Sequence, residues 1–330
     1  MRQMFQHIRQ QLTAGEDLVL VTVTASSGAT PRGAGARMLV NCHGRLCGTI
    51  GGGAVEHRSE AIALQVLQEK SSRNQSFSLT RNDVENLGMI CGGDVEVFFH
   101  YIPASDEDIR ALADAAEARF AAAEDFWLVC DLSQGGTLTL ADQTHPEFGP
   151  LLSRRPQRLT VHDKTLYTEQ IGESGRVYIF GGGHVAQELV PVLSHVGFRC
   201  VVMEDRPEFA DPQKFPDAEQ VLLGDFRRIG DFVAVGENDY VCVMTRGHAC
   251  DTVVQAQVLK CRPYYCGVIG SAAKAAGVRK ALREEYDLSE EELSRITTPI
   301  GLPIKGKTPA EIAISIAAQM ILLRAERNSL

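Results

Sequence analysis

The sequence has no pair of cysteines at CxxC spacing, no long uninterrupted apolar run and few aromatic residues, which make up 6% of the chain. Its nine cysteines are an odd number and are scattered, so neither a zinc knuckle nor a disulfide framework is indicated, and reduced thiols in a cytoplasm fit better. The longest apolar tract, 312–323, is interrupted by Ser315 and Gln319 and is shorter than the roughly 20 residues that span a bilayer. The polar stretch 1–11 lacks the apolar core of a signal peptide. We therefore expect a cytoplasmic protein with no membrane partner.

Basic residues are also fewer than acidic ones. The chain has 33 lysines and arginines against 42 acidic residues, and the resulting net charge of −9 argues against a general nucleic-acid or membrane-surface role. Its 330 residues suffice for two domains with full cores. The polar stretch 172–175 stands before the most regular α/β pattern of the chain. It predicts a smaller mixed α/β domain over 1–172, followed by a Rossmann-like nucleotide-binding domain with a parallel sheet over 173–330.

That regular pattern covers 176–206. An apolar run over 177–180 meets three glycines at 181–183, and apolar residues spaced for one helix face follow. A second apolar run, 200–203, ends at Glu204. Strand, glycine turn, helix, strand and acid is the order of a dinucleotide-binding βαβ unit.

Each residue of this fingerprint has a predicted role. Gly181 allows the tight turn, Gly183 lets a pyrophosphate reach backbone N–H groups at the helix start, and Ala186 occupies the third glycine position. Glu204 lies about 20 residues after Gly183, the offset at which a carboxylate meets a ribose hydroxyl. The alternative is an α/β turn that binds no nucleotide, since a fold does not fix a function.

A second glycine turn, 51–53, precedes the helical pattern 54–70. Its backbone N–H groups suit an anion, although a turn that merely needs small residues is an equal alternative. The polar residues 71–82 predict a loop. Cys91, flanked by glycine before a predicted strand, is either a functional thiol or a structural cysteine.

A buried strand over 240–245 delivers polar residues to its carboxyl end, where open parallel sheets bind ligands. Arg246 offers a bidentate clamp for an anion, and His248 titrates near neutrality. A pair such as His248 and Asp251 is more often structural, but this one lies at the ligand-binding edge.

The next predicted strand, 265–269, leads to Ser271 and Lys274, an arrangement that also suits an anionic group. The helical pattern that begins at Pro309 carries apolar residues on one face. That face is most simply explained by packing in the core.

Eight separated blocks together resemble the XdhC/CoxI family from about Val21 to the C-terminus: SSGATPRGAGARMLV, GTIGGGAVE, GMICGGDVEVFF, YIFGGGHVAQEL, EDRPEFA, TRGHACD, VIGSAAK and PIGLPIKGKTPAEIAISIAAQM. The resemblance implies a cytoplasmic maturation factor for molybdenum hydroxylases such as xanthine dehydrogenase. It also implies binding of the molybdenum cofactor (molybdopterin), its sulfuration with a cysteine desulfurase, and delivery to the apo-enzyme.

The family pattern also differs from this chain at two positions. Many members have a cysteine in the first glycine block, GTIGGGAVE, where this chain has Ala54. Cys91, in the second glycine block GMICGGDVEVFF, is therefore the only thiol of these two blocks. Glu204 replaces the more frequent aspartate, which keeps the carboxylate but lengthens its reach. The catalytic candidates are Cys91, His248 and Asp251. The cofactor-binding candidates are Gly51, Gly52, Gly53, Glu56, Gly92, Gly93, Gly181, Gly183, His184, Glu204, Asp205, Arg206, Arg246, Ser271 and Lys274.

The first hypothesis is therefore a cofactor chaperone rather than a stand-alone enzyme. Glycine-turn amides, Arg246 and Lys274 hold the molybdopterin phosphate, and Cys91 lies near the sulfur ligands of the metal. The second is an NAD-dependent oxidoreductase, in which Glu204 or Asp205 favours NAD over NADP. The third is a non-enzymatic nucleotide or redox sensor. A homodimer is left open, and no metal-binding residues are identified.

Overall fold

The computed structural model describes residues 1–28, 32–79, 93–133, 135–173, 175–270 and 272–328. The chain divides into two compact units, Met1–Glu173 and Ser174–Asn328. No helix in the described ranges is both long and apolar enough to cross a membrane.

The first unit combines helices with antiparallel sheets. Within the residues described, five strands form one sheet in the order β3-β2-β1-β5-β4, and four form another in the order β7-β6-β9-β8. The elements, in chain order, are α1 (Arg2–Thr13), β1 (Leu18–Gly28), β2 (Arg37–Asn41), β3 (Gly44–Thr49), α2 (Gly53–Glu69), β4 (Arg73–Leu79), β5 (Gly93–Ile102), α3 (Glu107–Ala122), β6 (Phe126–Asp131), β7 (Leu138–Ala141), the 3₁₀ turn Gly149–Leu151, β8 (Gln157–Val161) and β9 (Lys164–Gly172).

Strand β1 is the centre of the larger sheet and is apolar on both faces. Leu18 and Leu20 belong to the core cluster that contains the buried face of α1. Val19 and Val21 belong to a second cluster that contains the buried face of α2. The two-residue alternation of a strand thus divides one continuous apolar run between two cores. Each such side chain stabilises the fold by roughly 1.5–3 kcal/mol when it is fully buried.

The loop predicted over 71–82 is wrong for most of its length, because Arg73–Leu79 forms strand β4. Among the described residues, this strand is the outer member of its sheet and pairs with β5. The hydroxyl of Ser76 donates to Glu96 at 2.7 Å, a polar cross-strand contact of a kind that apolar periodicity does not register. Edge strands commonly carry polar side chains, and the sequence pattern of β4 consequently looked like a loop.

The second unit has a parallel sheet. Among its described residues, six strands pair in the order β12-β11-β10-β13-β14-β15. The elements are β10 (Val177–Phe180), α4 (His184–His195), β11 (Cys200–Glu204), the 3₁₀ turn Pro212–Lys214, β12 (Gln220–Leu223), the 3₁₀ segment Phe226–Asp231, β13 (Tyr240–Val243), α5 (His248–Lys260), β14 (Tyr265–Val268), α6 (Ala272–Glu284), α7 (Glu290–Ser294), β15 (Ile296–Thr297) and α8 (Pro309–Arg327).

This strand order is that of a doubly wound Rossmann sheet. Leu189 of α4 and Ile316 of α8 lie in the core on one face, while Val254 of α5 and Leu282 of α6 lie in the core on the other. The predicted fold class is confirmed, as is the core position of the last helix. The order reverses between β10 and β13, and ligands of such sheets bind at the carboxyl ends of the strands that flank this reversal.

Candidate functional site

The glycine turn after β10 is built so closely that side chains are excluded at its first two glycines. Gly181 has φ +118°, and a Cβ atom there would lie 2.3 Å from the carbonyl oxygen of Met244, in the loop after β13. A Cβ atom at Gly182 would lie 2.6 Å from the carbonyl oxygen of Phe209. The Gly181 N–H donates to the carbonyl of Met203 at 2.8 Å. The turn is therefore held against both neighbouring strands at the reversal point of the sheet.

Gly183 differs from the two glycines before it. It is the N-cap of α4 with φ −69°, and a Cβ atom built on it meets no heavy atom within 4 Å. Helix α4 begins at His184, which is exposed. Because the first N–H groups of a helix lack partners within the helix, this open side of the turn is where an anionic group would approach.

Glu204 ends strand β11 and is buried, with 1% of its surface exposed. Its Oε2 atom accepts hydrogen bonds from the Gly182 N–H at 2.8 Å and from Arg206 Nη2 at 2.8 Å. Its Oε1 atom accepts from the backbone N–H groups of Asp205 and Arg206 at 3.0 and 3.2 Å, and from Arg206 Nε at 3.0 Å. Burial by itself raises the pKa of this carboxyl, but the hydrogen bonds from the Arg206 side chain and the Gly182 N–H, together with the adjacent Asp205 side chain, lower it to about 2. Glu204 is thus a carboxylate whose oxygens hold the turn.

Asp205 is the acid with spare hydrogen-bonding capacity. Its side chain is 22% exposed, and its Oδ2 atom lies 3.7 Å from Arg246 Nη2. The buried Oδ1 atom accepts no hydrogen bond from the described part of the chain, although Arg206 Nε lies 3.9 Å away. Burial and the neighbouring Glu204 carboxylate raise the pKa of Asp205. The sequence assigned both acids the same role, whereas the structure gives them different surroundings.

Arg206 connects the turn to the following loop. Its guanidinium binds both oxygens of Glu204, at 3.0 Å from Nε and 2.8 Å from Nη2. The same group lies over the ring of Phe209, 3.9 Å from the ring centroid. Such a paired and stacked arginine is fixed in position, and its charge is balanced by Glu204.

The loop after β13 is shaped by Asp251. The Oδ1 atom of this buried residue accepts from the backbone N–H of Thr245 at 3.1 Å and from its hydroxyl at 2.6 Å. The Asp251 N–H donates to the carbonyl of Gly247 at 3.0 Å. Arg246, between these anchor points, keeps 57% of its side chain exposed. The loop thus presents a guanidinium at the carboxyl edge of the sheet, beside Asp205.

Several predicted residues lie where the structure does not describe their side chains. His248 is the first residue of α5, and Lys274 lies in the first turn of α6. Cys91, Gly92 and Ser271 lie outside the described residues. The catalytic roles of Cys91 and His248 therefore stay predictions, as does that of Asp251, whose side chain shapes the loop after β13.

One thiol at this edge was not singled out by the sequence pattern. Cys250 is half-buried in the first turn of α5 and interacts electrostatically with Asp205 and Arg246. Burial and the Asp205 carboxylate raise its pKa, which Arg246 opposes. A raised pKa keeps this thiol protonated and weakly nucleophilic at neutral pH. The signal that would have found it is its place in the TRGHACD block, after a strand that ends at the reversal point.

The glycine turn of the first unit is organised by Glu56. The Oε2 atom of this buried residue accepts from the backbone N–H groups of Ile50 and Gly52 at 3.0 and 3.1 Å, and from the hydroxyl of Thr49. Its Oε1 atom pairs with Arg45. Burial by itself raises the pKa of Glu56, but the bonds from Thr49, Gly52 and Ile50 and the charge of Arg45 lower it.

This arrangement bears on the predicted anion site. The Gly52 N–H is used by Glu56, and the Gly51 N–H donates to the Thr49 hydroxyl at 3.1 Å. Gly52 and Gly53 have φ +73° and +64°, a left-handed conformation that favours glycine. A ligand that used the Gly51 or Gly52 amide would have to displace an internal acceptor. Gly93 is the first residue of β5 and pairs with Gly28 of β1.

The architecture is that of a two-unit α/β protein whose second unit is a Rossmann domain with a built glycine turn. The family model for the XdhC Rossmann domain matches residues 177–320 of the sequence. The family model for the XdhC and CoxI family matches residues 11–78. The chain belongs to the XdhC and CoxI family, as the resemblance of its motifs predicted.

Named relatives align with nearly the whole chain at low identity. A protein of Bacillus subtilis (strain 168) that is named as a probable xanthine dehydrogenase subunit is 24% identical over 320 residues, which cover 94% of each chain. The molybdenum cofactor insertion chaperone PaoD of Escherichia coli (strain K12) is 22% identical over 316 residues, 96% of this chain and 86% of PaoD. The uncharacterized protein YqeB of the same strain is 24% identical over 92% of this chain, but this alignment spans only 43% of YqeB.

A solved structure shows the same fold. The crystal structure described as a xanthine dehydrogenase from Bacillus halodurans superimposes with a TM-score of 0.79 and 24% sequence identity. The match covers 98% of this chain and 96% of that one.

Proposed function

We propose that this protein is a maturation factor that binds the molybdenum cofactor and supports its sulfuration and insertion into a molybdenum hydroxylase of the xanthine dehydrogenase type. The observation that carries the proposal is the similarity to a named molybdenum cofactor insertion chaperone along 96% of the chain. The Bacillus subtilis relative, named for xanthine dehydrogenase, supports the same client class. The cofactor is cargo in this proposal, and its partners are the apo-hydroxylase and a cysteine desulfurase.

The residues at the carboxyl edge of the Rossmann sheet fit cargo of this kind. Molybdopterin carries a phosphate group and a pterin with N–H donors. The exposed guanidinium of Arg246 suits the phosphate, and the space beside Gly183 leaves the start of α4 approachable. The carboxylate of Asp205 keeps 22% of its side chain exposed and suits an N–H or O–H donor. Arg246, Gly183 and Asp205 are therefore the residues proposed to hold the cargo.

Glu204 and Glu56 have a supporting part in this proposal. Each already accepts hydrogen bonds from a glycine-turn amide and from an arginine. If either carboxylate bound the cargo instead, these hydrogen bonds would break and leave buried donors unsatisfied, at a cost of about 1–3 kcal/mol for each group. We therefore assign them to shaping the turns rather than to touching the cargo.

The partly exposed carboxylate of Asp205 also favours a second candidate function, the binding of NAD. A carboxylate at the end of the second Rossmann strand accepts hydrogen bonds from ribose hydroxyls and repels a 2′-phosphate. In this alternative Asp205, rather than the fully occupied Glu204, selects NAD over NADP. Calorimetric titration of the full chain with NAD, NADH and NADP measures this directly.

Activation of a client enzyme tests the first proposal. Apo-hydroxylase, molybdenum cofactor, a cysteine desulfurase and cysteine are incubated with or without the purified chain, and hydroxylase activity is measured. The proposal predicts faster or more complete activation with the wild-type chain, and a smaller effect with Arg246→Ala. Arg228→Ala serves as the matched control, because Arg228 is 70% exposed and pairs with Asp231 at 2.9 Å. Unchanged activation in the presence of the wild-type chain would exclude the proposed role.

A further inference from the structure

Three side chains with metal-binding atoms meet in the first unit, at a place not used by the proposed function. Cys42 and His43 form the tight turn between β2 and β3, and Glu16 lies in the loop between α1 and β1. One ligand atom from each residue lies within 4.8 Å of the other two. The sulfur of Cys42 lies 3.4 Å from Oε2 of Glu16.

The chemistry and spacing of these atoms suit a zinc-class ion. Thiolate, imidazole and carboxylate are the ligands of zinc, at about 2.3, 2.0 and 2.1 Å from the ion. Two ligand atoms in a tetrahedral site of these dimensions are about 3.5 Å apart. The distance between the Cys42 sulfur and the Glu16 carboxylate already has that value, and a ligand atom of His43 lies within 4.8 Å of both.

The two loops that carry the ligands are fixed to the same residue. The backbone carbonyl of Gln11 accepts from the Glu16 N–H at 3.0 Å, while its side-chain Oε1 accepts from Asn41 Nδ2 at 3.4 Å. The buried Asn41 in turn accepts from the His43 N–H at 2.9 Å. Gln11 therefore holds the Glu16 loop and the hairpin turn together, which lowers the entropy cost of assembling the three ligands.

The site has an open side. Glu16 and Cys42 line a surface cleft of about 520 Å³, whose wall includes Leu64 and Leu67. Asp17 lies in the same cleft but is occupied: its Oδ1 accepts from the Ala104 N–H at 2.8 Å and its Oδ2 from the Tyr101 hydroxyl at 2.7 Å. A metal held by three protein ligands therefore keeps a fourth position for water or an incoming ligand, the arrangement of reactive zinc sites.

We propose that Glu16, Cys42 and His43 bind a zinc ion whose fourth coordination position faces this cleft. The Cys42 thiol loses its proton on binding, because the thiolate is the ligand. The proposal concerns the first unit alone and does not depend on the Rossmann edge or on molybdenum-cofactor binding.

Cobalt titration of the full chain tests the ligand set. Co²⁺ replaces zinc and reports a bound thiolate through a charge-transfer absorption band. The wild-type chain is expected to bind one Co²⁺ with this band, Cys42→Ser to lose the band, and His43→Gln to bind more than about tenfold more weakly, since even outer-shell changes at metal sites cost 10–100-fold. Cys261→Ser and His57→Gln, at exposed residues elsewhere, serve as matched controls and are expected to behave as wild type.

Alkylation of the wild-type chain provides a second measurement that needs no variant. Cys42 and Cys261 are both exposed, so each reacts with an alkylating reagent in the absence of metal. Stoichiometric Zn²⁺ is expected to slow the reaction of Cys42 and to leave that of Cys261 unchanged, as read by peptide mass spectrometry. Equal protection of both cysteines, no protection of either, or a cobalt band that survives Cys42→Ser would overturn the proposal.

Discussion

The Oε2 atom of Glu204 lies 2.8 Å from the amide nitrogen of Gly182, and the same carboxylate is clamped by Arg206. The first unit repeats this arrangement, because Oε2 of Glu56 lies 3.1 Å from the amide nitrogen of Gly52 and Oε1 pairs with an arginine, Arg45. In both units a buried carboxylate neutralised by an arginine fixes the path of a glycine turn. A ligand at either turn therefore has to bind hydrogen-bonding groups that are not already bonded to the carboxylate.

The turn of the first unit should depend on the charge of Glu56. In Glu56→Gln one acceptor oxygen becomes an NH₂ group that faces donors, so a buried hydrogen bond is lost and a donor is left unsatisfied. We expect a loss of about 1–3 kcal/mol in the free energy of unfolding, measured by denaturant titration. Glu60→Gln is the control, since Glu60 pairs with the same Arg45 at 3.1 Å but is 33% exposed, and should cost less than about 1 kcal/mol. Equal losses in the two variants would show that Glu56 does not organise the turn.

The contribution of Glu204 should depend on pH. Its pKa is about 2 in the folded protein against an ordinary 4.5, so its contribution to stability is complete well above pH 4.5 and is lost as the pH falls through 4.5 towards 2. The stability difference between wild type and Glu204→Gln should therefore shrink by roughly 1 kcal/mol between pH 7 and pH 4, as measured by urea unfolding.

Glu208→Gln is the control for this experiment, because Glu208 is exposed in the loop that follows the same strand. It should change stability by less than about 0.5 kcal/mol at either pH. A Glu204→Gln difference that stays constant, or grows, on acidification would contradict the lowered pKa.

The glycines at 181 and 183 should respond differently to the same substitution. Gly181→Ala places a methyl group 2.3 Å from the Met244 carbonyl at φ +118°, and should cost about 2–4 kcal/mol through strain and overlap. Gly183→Ala meets no heavy atom within 4 Å and has an ordinary φ, so it should cost no more than about 1 kcal/mol, as a helix N-cap change. Denaturant unfolding measures both values, and similar costs would contradict the close packing at the reversal point.

Arg246 should matter for ligand binding and little for stability. Its exposed side chain lies 3.7 Å from Asp205, an ion pair of a kind that contributes at most about 1 kcal/mol. Arg246→Ala should unfold at nearly the wild-type denaturant concentration. Its affinity for an anionic ligand should fall by about tenfold or more, because a charge-assisted hydrogen bond contributes about 1.5–3 kcal/mol. Arg228→Ala should change neither quantity. A large loss of stability in Arg246→Ala would mean that this arginine is structural.

The parallel-sheet unit could be predicted because residues that are close together in the sequence determine its strands and its glycine turn. The apolar runs 177–180 and 200–203 correspond to two buried strands, and the glycines between them correspond to a turn in which side chains do not fit at Gly181 and Gly182. Strand β4 was missed because an edge strand needs only backbone pairing with one neighbour, and polar residues satisfy that.

The division of labour within the site could not be predicted. Glu204 and Asp205 are adjacent and chemically equivalent in sequence, and only the packing of β11 shows that one is buried against the turn while the other faces Arg246. The cluster of Glu16 with Cys42 and His43 follows no regular spacing, because separate loops bring it together. Long-range placement of this kind depends on tertiary structure and leaves no local signal.

Native mass spectrometry tests the central claim most directly. The full chain is purified from cells that make the molybdenum cofactor, and the mass of any retained ligand is measured for wild type, Gly183→Ala and Arg228→Ala. We predict a molybdopterin-containing adduct on the wild-type chain and on Arg228→Ala, and a reduced adduct on Gly183→Ala, whose added methyl group occupies the approach to the start of α4. A wild-type chain that carries no such adduct, or that carries NAD in its place, would contradict the proposal that this protein binds the molybdenum cofactor.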